Sequence, residues 1–209
     1  MKLSQELLEF YDVNKKNIKN RLEEFKKVPK ENYFYELCFC LCTPQSKASN
    51  SLLVQNQLIK LDLQNQDLSF EEVSDILRKP ENYIRFHNQK AKRLLIIKDE
   101  FHKVTELLDS NLDNFTKRNK IQETVNGFGY KEAGHFMRNI GYTDLAILDR
   151  HILKNLKIAG VFDEIPKINT AKEYHKVEQM FLDFAQQIKI PIDEIDLLFW
   201  AYENGEIIK

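Results

Sequence analysis

Apolar positions recur every three to four residues over most of the chain, and Pro, Gly, Asn and Asp fall between the runs. The first run predicts a helix from residue 3 to about 27, with Leu7, Leu8, Val13, Ile18, Leu22 and Phe25 on or near one side and Lys15, Lys16, Lys19, Lys26 and Lys27 toward water. Pro29 ends it. Tyr33 to Cys42 (YFYELCFCLC) is almost wholly apolar and predicts a buried helix. Thr43-Pro44-Gln45-Ser46 breaks that helix and opens another with Leu52, Leu53 and Leu58. Residues 60 to 84 predict polar connections around a short helix carrying Phe70, Val73, Ile76 and Leu77. Arg85 to Lys90 opens a helix that runs to about Leu108. Further on, helices are expected over 170–187 (Tyr174, Val177, Met180, Phe181, Phe184) and 193–202, the latter with the only tryptophan, Trp200.

The densest signals lie between Thr124 and Asp149. Ile121 and Val125 share a helical face, Asn126-Gly127-Phe128-Gly129 interrupts it, and Ala133, Phe136, Met137 and Ile140 form a second face. The stretch predicts helix, tight turn, helix. Both glycines are expected to take positive φ and to let the backbone approach another molecule. The turn amides and the first N–H groups of the second helix suit an anion such as a phosphate. Lys131 falls in the first turn of that helix, where the dipole favours acids. The positive helix end, with burial, favours a neutral and nucleophilic amine. Asp149 follows 18 residues on (149 − 131), ahead of Ile152, Leu153 and Leu156, and reads as the N-cap of the next helix. An ionised carboxylate near Lys131 would favour the charged amine instead. A Gly-x-Gly turn alone is usually only a turn, and a helix-start Asp is usually only a cap. The turn, the lysine and the spaced carboxylate together are much rarer.

With 209 residues, 43% hydrophobic and 30% charged, and only 6 Gly and 5 Pro, the composition favours an all-α fold with a sizeable core. No apolar run approaches the roughly 20 residues of a membrane span. The N-terminal MKLSQELLEFYD is amphipathic and acidic, so an intracellular protein is expected. The net charge of −1 argues mildly against a nonspecific nucleic-acid coat. Six Lys/Arg lie between Arg85 and Lys103, while acids gather elsewhere, as at Asp193, Glu194 and Asp196. The basic run reads either as a solvated face or as one wall of a basic groove with an acidic back. Cys38, Cys40 and Cys42 have neither disulfide nor zinc spacing, and buried free thiols are expected.

Gly127-Phe128-Gly129-Tyr130-Lys131-Glu132-Ala133, then His135-Phe136-x-Arg138-Asn139, then Asp149-Arg150-His151-Ile152-Leu153 resembles the helix-hairpin-helix DNA glycosylase superfamily, and within it the second family of 8-oxoguanine DNA glycosylase/AP lyases, best known from archaea and some bacteria. The dense match spans about residues 120 to 155. Looser similarity, at Glu36-Leu37-Cys38-Phe39-Cys40 and Ile207-Ile208-Lys209, covers nearly the whole chain. The resemblance implies a two-lobed helical helix-hairpin-helix DNA glycosylase fold. With no cysteine after Cys42, the iron–sulfur loop of some relatives is not expected. The lobes are placed at about 1–80 with 170–209, and about 85–165 with the hairpin.

The same resemblance implies a bifunctional base-excision repair enzyme that excises 8-oxoguanine and cleaves the strand by β-elimination. Lys131 would be the nucleophile and Asp149 the assisting carboxylate. Gly127 and Gly129 would grip DNA, and Gln45 would occupy the space of the extruded nucleotide or else serve only as a turn or cap residue. Phe86, Trp200 and the Lys209 chain-end carboxylate would line the base pocket. Phe86 also reads as a hydrophobic staple at a helix start, and Trp200 as core. The expected partner is double-stranded DNA containing 8-oxoguanine, with no membrane, a monomeric state and a cytoplasmic, nucleoid-associated location. No cofactor is expected beyond a monovalent cation that related hairpins accept. A non-catalytic hairpin module, or the same chemistry on another oxidised base, remains the alternative.

Overall fold

The segments with helical periodicity fold as helices, and among the described residues there is no strand. In the computed structural model, residues 1–207 and 209 are described; Ile208, part of the tail in which the resemblance was noted, lies outside the described residues. The helices are α1 (Gln5–Lys26), α2 (Tyr33–Cys42), α3 (Ala48–Lys60), α4 (Phe70–Arg78), α5 (His87–Asp109), α6 (Asn114–Thr124), α7 (Tyr130–Asn139), α8 (Arg150–Ile158), α9 (Ala171–Ile188) and α10 (Ile192–Asn204).

The chain forms two compact units, Val28–Phe136 and Met1–Lys27 with Met137–Lys209, so that the second boundary falls inside α7. The division expected near residues 80 and 170 is therefore displaced. In the Val28–Phe136 unit α2 packs on α3 and α5, and α4 on α5, which keeps residues 28–80 with the hairpin segment. The core of this unit is α2. Phe34, Leu37, Phe39 and Leu41 are all essentially inaccessible, and each such burial stabilises by about 1.5–3 kcal/mol. The three cysteines are buried free thiols, as expected, and burial pushes the Cys42 thiol up to about 12.

In the other unit α1 packs on α10, and α8 on α10. Ser4 caps α1 by accepting from Leu7 N at 3.2 Å. Leu7, Tyr11, Ile18 and Phe25 are buried, whereas Leu8 and Val13 face water. Val13 lies about 240° around the helix from Leu7 at roughly 100° per residue, so its assignment to the buried side is corrected. Glu203 of α10 binds α8 through Lys154 Nζ (2.9 Å) and Asn155 Nδ2 (3.1 Å), and these bonds, Lys154 first, lower its pKa. The segment leading into α8 is buried from Leu145 to Leu148. It is held to α9, where Ala146 N donates to Glu178 Oε1 at 3.1 Å and Tyr174 OH donates to Ala146 O at 2.7 Å.

Asp193, Glu194 and Asp196 form no acidic back. All three are at most 6% exposed. Tyr11 OH donates to Glu194 Oε2 at 2.5 Å, Asp144 N donates to Asp193 Oδ2 at 3.1 Å, and Arg138 Nη1 lies 3.2 Å from Asp196 Oδ2. Polar residues sit at core positions here because each finds a partner, a constraint that periodicity alone does not reveal.

Candidate functional site

The hairpin joins α6 to α7. Val125 N donates to Ile121 O as α6 ends, and Phe128 N donates to Val125 O at 3.0 Å, closing a β-turn with Gly127 third at φ 97°. Phe128 is 6% exposed and packs against Phe136, with ring centroids 6.4 Å apart, which anchors the turn in the core. The fully buried Arg118 lies over the Tyr130 ring at 5.4 Å and pins the start of α7.

Gly129 departs from expectation. It lies outside the left-handed region and precedes the first residue of α7, with its carbonyl accepting from Ala133 N at 3.0 Å. Its N–H is not directed to an external anion but donates to Glu132 Oε2 at 3.0 Å. This is the backward half of a capping box, in which a third-position carboxylate answers the cap amide. Lys131, the second residue of α7, keeps 30% of its side chain exposed and pairs with the other oxygen, Nζ to Oε1 at 3.0 Å. One carboxylate thus holds both the turn amide and the amine.

Gln45 and Phe86 are the other candidates in this unit. Both are exposed, and both adopt left-handed backbone (φ 57° and 59°), each costing on the order of 1 kcal/mol or more. Lys90 accounts for their persistence. This 3%-exposed lysine donates to Cys42 O and Pro44 O, each at 2.7 Å, so one α5 side chain clamps the turn that carries Gln45. Arg85 N donates to Ser46 Oγ at 3.0 Å and ties the Phe86 loop to the same turn. The Arg85 guanidinium stacks on the Phe86 ring at 4.9 Å. Burial pushes the Lys90 ammonium down to about 8; the Arg93 and Lys131 charges add to this, while Cys42 and Glu132 oppose it. The basic run from Arg85 to Lys103 is not one face. Lys90 is internal, Lys98 pairs with Asp67 at 2.7 Å, and Lys103 pairs with Glu100 at 2.7 Å.

Asp149, Trp200 and Lys209 belong to the other unit. Asp149 is the N-cap of α8, with Oδ1 accepting from His151 N at 2.8 Å and Ile152 N at 2.9 Å. Trp200 on α10 is partly exposed rather than core, and Lys209 is partly exposed. The structure therefore groups Gln45, Phe86, Gly127, Gly129 and Lys131 in one unit and Asp149, Trp200 and Lys209 in the other.

A family model described as 8-oxoguanine DNA glycosylase matches residues 18–190. The chain belongs to the 8-oxoguanine DNA glycosylase family. The 8-oxoguanine DNA glycosylase/AP lyase of Fusobacterium nucleatum is 38% identical over 98% of this chain and 96% of its own length. The Methanocaldococcus jannaschii 8-oxoguanine glycosylase/lyase, solved in complex with a 15mer DNA containing 8-oxoguanine, superposes with a TM-score of 0.86 at 29% identity, covering 99% of this chain and 100% of that one. The 8-oxoguanine DNA glycosylase of Thermotoga maritima superposes with a TM-score of 0.87 at 31% identity, covering 98% and 97%. Two groups in this glycosylase family member escaped the sequence reading. Glu132 had a readable signal, since it stands third in the helix after Gly129. Lys90 had none, because its carbonyl partners on the 42–46 turn come together only in the fold.

Proposed function

We propose that this chain excises 8-oxoguanine from duplex DNA and then cleaves the strand 3′ to the abasic site. Family membership over residues 18–190 carries this reading, and the partly exposed Lys131, in the first turn of the helix that follows the glycine hairpin, supports it. A damaged base is out of reach inside the stack and must be flipped into a pocket. The hairpin backbone around Gly127 and Gly129 would hold the phosphate beside the flipped nucleotide, the Gly129 amide only once Glu132 releases it, with Gln45 filling the vacated space and Phe86, Trp200 and Lys209 bordering the base.

Lys131 parts from Glu132, gives up a proton and attacks C1′ of the sugar. The C1′–N9 bond breaks, and the base leaves with its electron pair and takes up a proton. Asp149 stabilises the cationic sugar in the transition state, as carboxylates do in glycoside cleavage. The ring-opened sugar is held on Nζ as a Schiff base. Loss of a C2′ proton then expels the 3′ phosphate by β-elimination. These steps use no organic cofactor or catalytic metal; a monovalent cation at the hairpin carbonyls would only help to seat the phosphate. We further propose a monomer acting in the cytoplasm on nucleoid DNA. Among the described residues no helix is long and apolar enough to cross a membrane.

Borohydride trapping on an 8-oxoguanine duplex, with wild type beside Lys131→Gln, tests the proposal. A covalent adduct formed by wild type and absent in the variant is expected. Tight DNA binding with neither adduct nor base release would overturn it in favour of a non-catalytic hairpin module, and base release without an adduct would make water the nucleophile.

A further inference from the structure

The cationic groups nearest the hairpin are partly spent within the chain. Glu132 occupies the Gly129 amide with one oxygen and Lys131 with the other, so the Lys131–Glu132 pair brings no net charge to the turn. A phosphate approaching Gly127 therefore needs its counter-charge from elsewhere. Arg93 of α5 supplies one. A Cβ built on Gly127 would fall 2.6 Å from Arg93 Nε and 2.7 Å from Arg93 Cζ, so the guanidinium lies against the turn where only a glycine leaves room for it. Arg93 is partly exposed, and among the described residues no hydrogen bond or ion pair engages it.

We propose that Arg93 is a phosphate-binding residue of this hairpin, gripping the backbone phosphate that meets the Gly127 turn. The guanidinium offers a planar fork to phosphate oxygens, and because no carboxylate holds it, binding DNA breaks no existing ion pair. The assignment rests on the DNA reading above, and it adds a side-chain cation to a grip otherwise made by backbone.

The test measures affinity for a duplex carrying a non-cleavable abasic analogue as a function of KCl, for wild type, Arg93→Met, Arg93→Gln and Arg93→Lys. The methionine variant keeps an apolar stem over Gly127 and removes the charge. Losing one phosphate contact lowers the slope of log K against log salt by about 1 and weakens low-salt binding about tenfold. Arg93→Gln should match Arg93→Met, and Arg93→Lys should keep the wild-type slope. A wild-type slope in both uncharged variants would overturn the assignment, as would equal loss in Arg93→Lys, which would make the residue a packing element of the turn. Wild-type excision of 8-oxoguanine, measured separately, decides the enzyme reading whatever the slopes show.

Discussion

Lys131 and Glu132 are joined by an ion pair of 3.0 Å between Nζ and Oε1, while Oε2 of the same carboxylate accepts the Gly129 amide at 3.0 Å. The amine proposed to attack DNA must therefore leave this pair before reaching C1′. A pair with one partner 30% exposed is worth about 0–1 kcal/mol, so its removal changes a rate by up to about fivefold. Glu132→Gln keeps an acceptor for the Gly129 amide but no longer holds the amine by charge. The adduct should form up to about fivefold faster than in wild type, with thermal stability almost unchanged. Glu132→Ala loses the cap as well, and stability should fall by about 1 kcal/mol. Slower trapping by a folded Glu132→Gln would show that the carboxylate orients the amine productively rather than restraining it.

The two glycines of the turn should respond differently to the same substitution. Gly127→Ala places a Cβ at φ 97° and 2.6 Å from Arg93 Nε. Left-handed strain alone costs roughly 1–2 kcal/mol, and Arg93 must also move. Gly129→Ala carries no such strain and meets only Glu132 Oε2, at 3.0 Å. Gly127→Ala should therefore lower both the melting temperature and the DNA affinity, with Gly129→Ala the milder change in each. Equal losses would mean that Gly129, not Gly127, sets the approach of the backbone to DNA.

Asp149 serves as a cap and, in the proposed mechanism, as a reacting carboxylate. Two substitutions separate these. Asp149→Asn retains an oxygen for His151 N and Ile152 N, so stability should hold to within about 0.5 kcal/mol. It removes the charge that stabilises the cationic sugar, and excision should fall by about 10²–10⁴-fold. Asp149→Ala should lose activity and about 1 kcal/mol of stability together. An Asp149→Asn variant that excises at the wild-type rate would reduce Asp149 to a cap.

Helix placement and the hairpin were readable because they depend on local periodicity and glycine punctuation. Asp149 was read as a cap for the same reason: a short polar residue before an apolar-periodic run has one cheap local use. What escaped reading depended on distant partners. Lys90 looked like part of a basic surface run, yet its ammonium is buried against the Cys42 and Pro44 carbonyls. Asp193, Glu194 and Asp196 looked like a solvated acidic patch, although Tyr11, Asp144 and Arg138 draw them inside. Val13 looked like core because an apolar residue at a helical position is the best local guess, and only the packing of α1 on α10 selects which side is covered.

The buried acids give the unit that carries Asp149 a pH dependence opposite to that of an ordinary ion-paired carboxylate. Burial pushes Asp196 from 3.8 up to about 7, with the charges of Asp149 and Asp193 adding and Arg138 opposing. Asp193 is likewise pushed up to about 6 by burial, against the hydrogen bond from the Asp144 amide. At these two positions the folded protein therefore binds more protons than the unfolded chain between about pH 4 and 7, and their contribution to stability falls as pH rises across that window. The loss attributable to Asp196 is on the order of 2–4 kcal/mol. Asp196→Asn presents a neutral group of the same shape to Arg138. It should match wild type near pH 4.5, exceed it near pH 8, and show a correspondingly flatter profile in chemical denaturation. Arg138→Met removes the charge that opposes burial at Asp196, so the falling limb should move to higher pH. If Asp196→Asn is instead less stable than wild type at pH 8, the ionised pair outweighs its desolvation, and Asp196 is held charged by Arg138 in the folded protein.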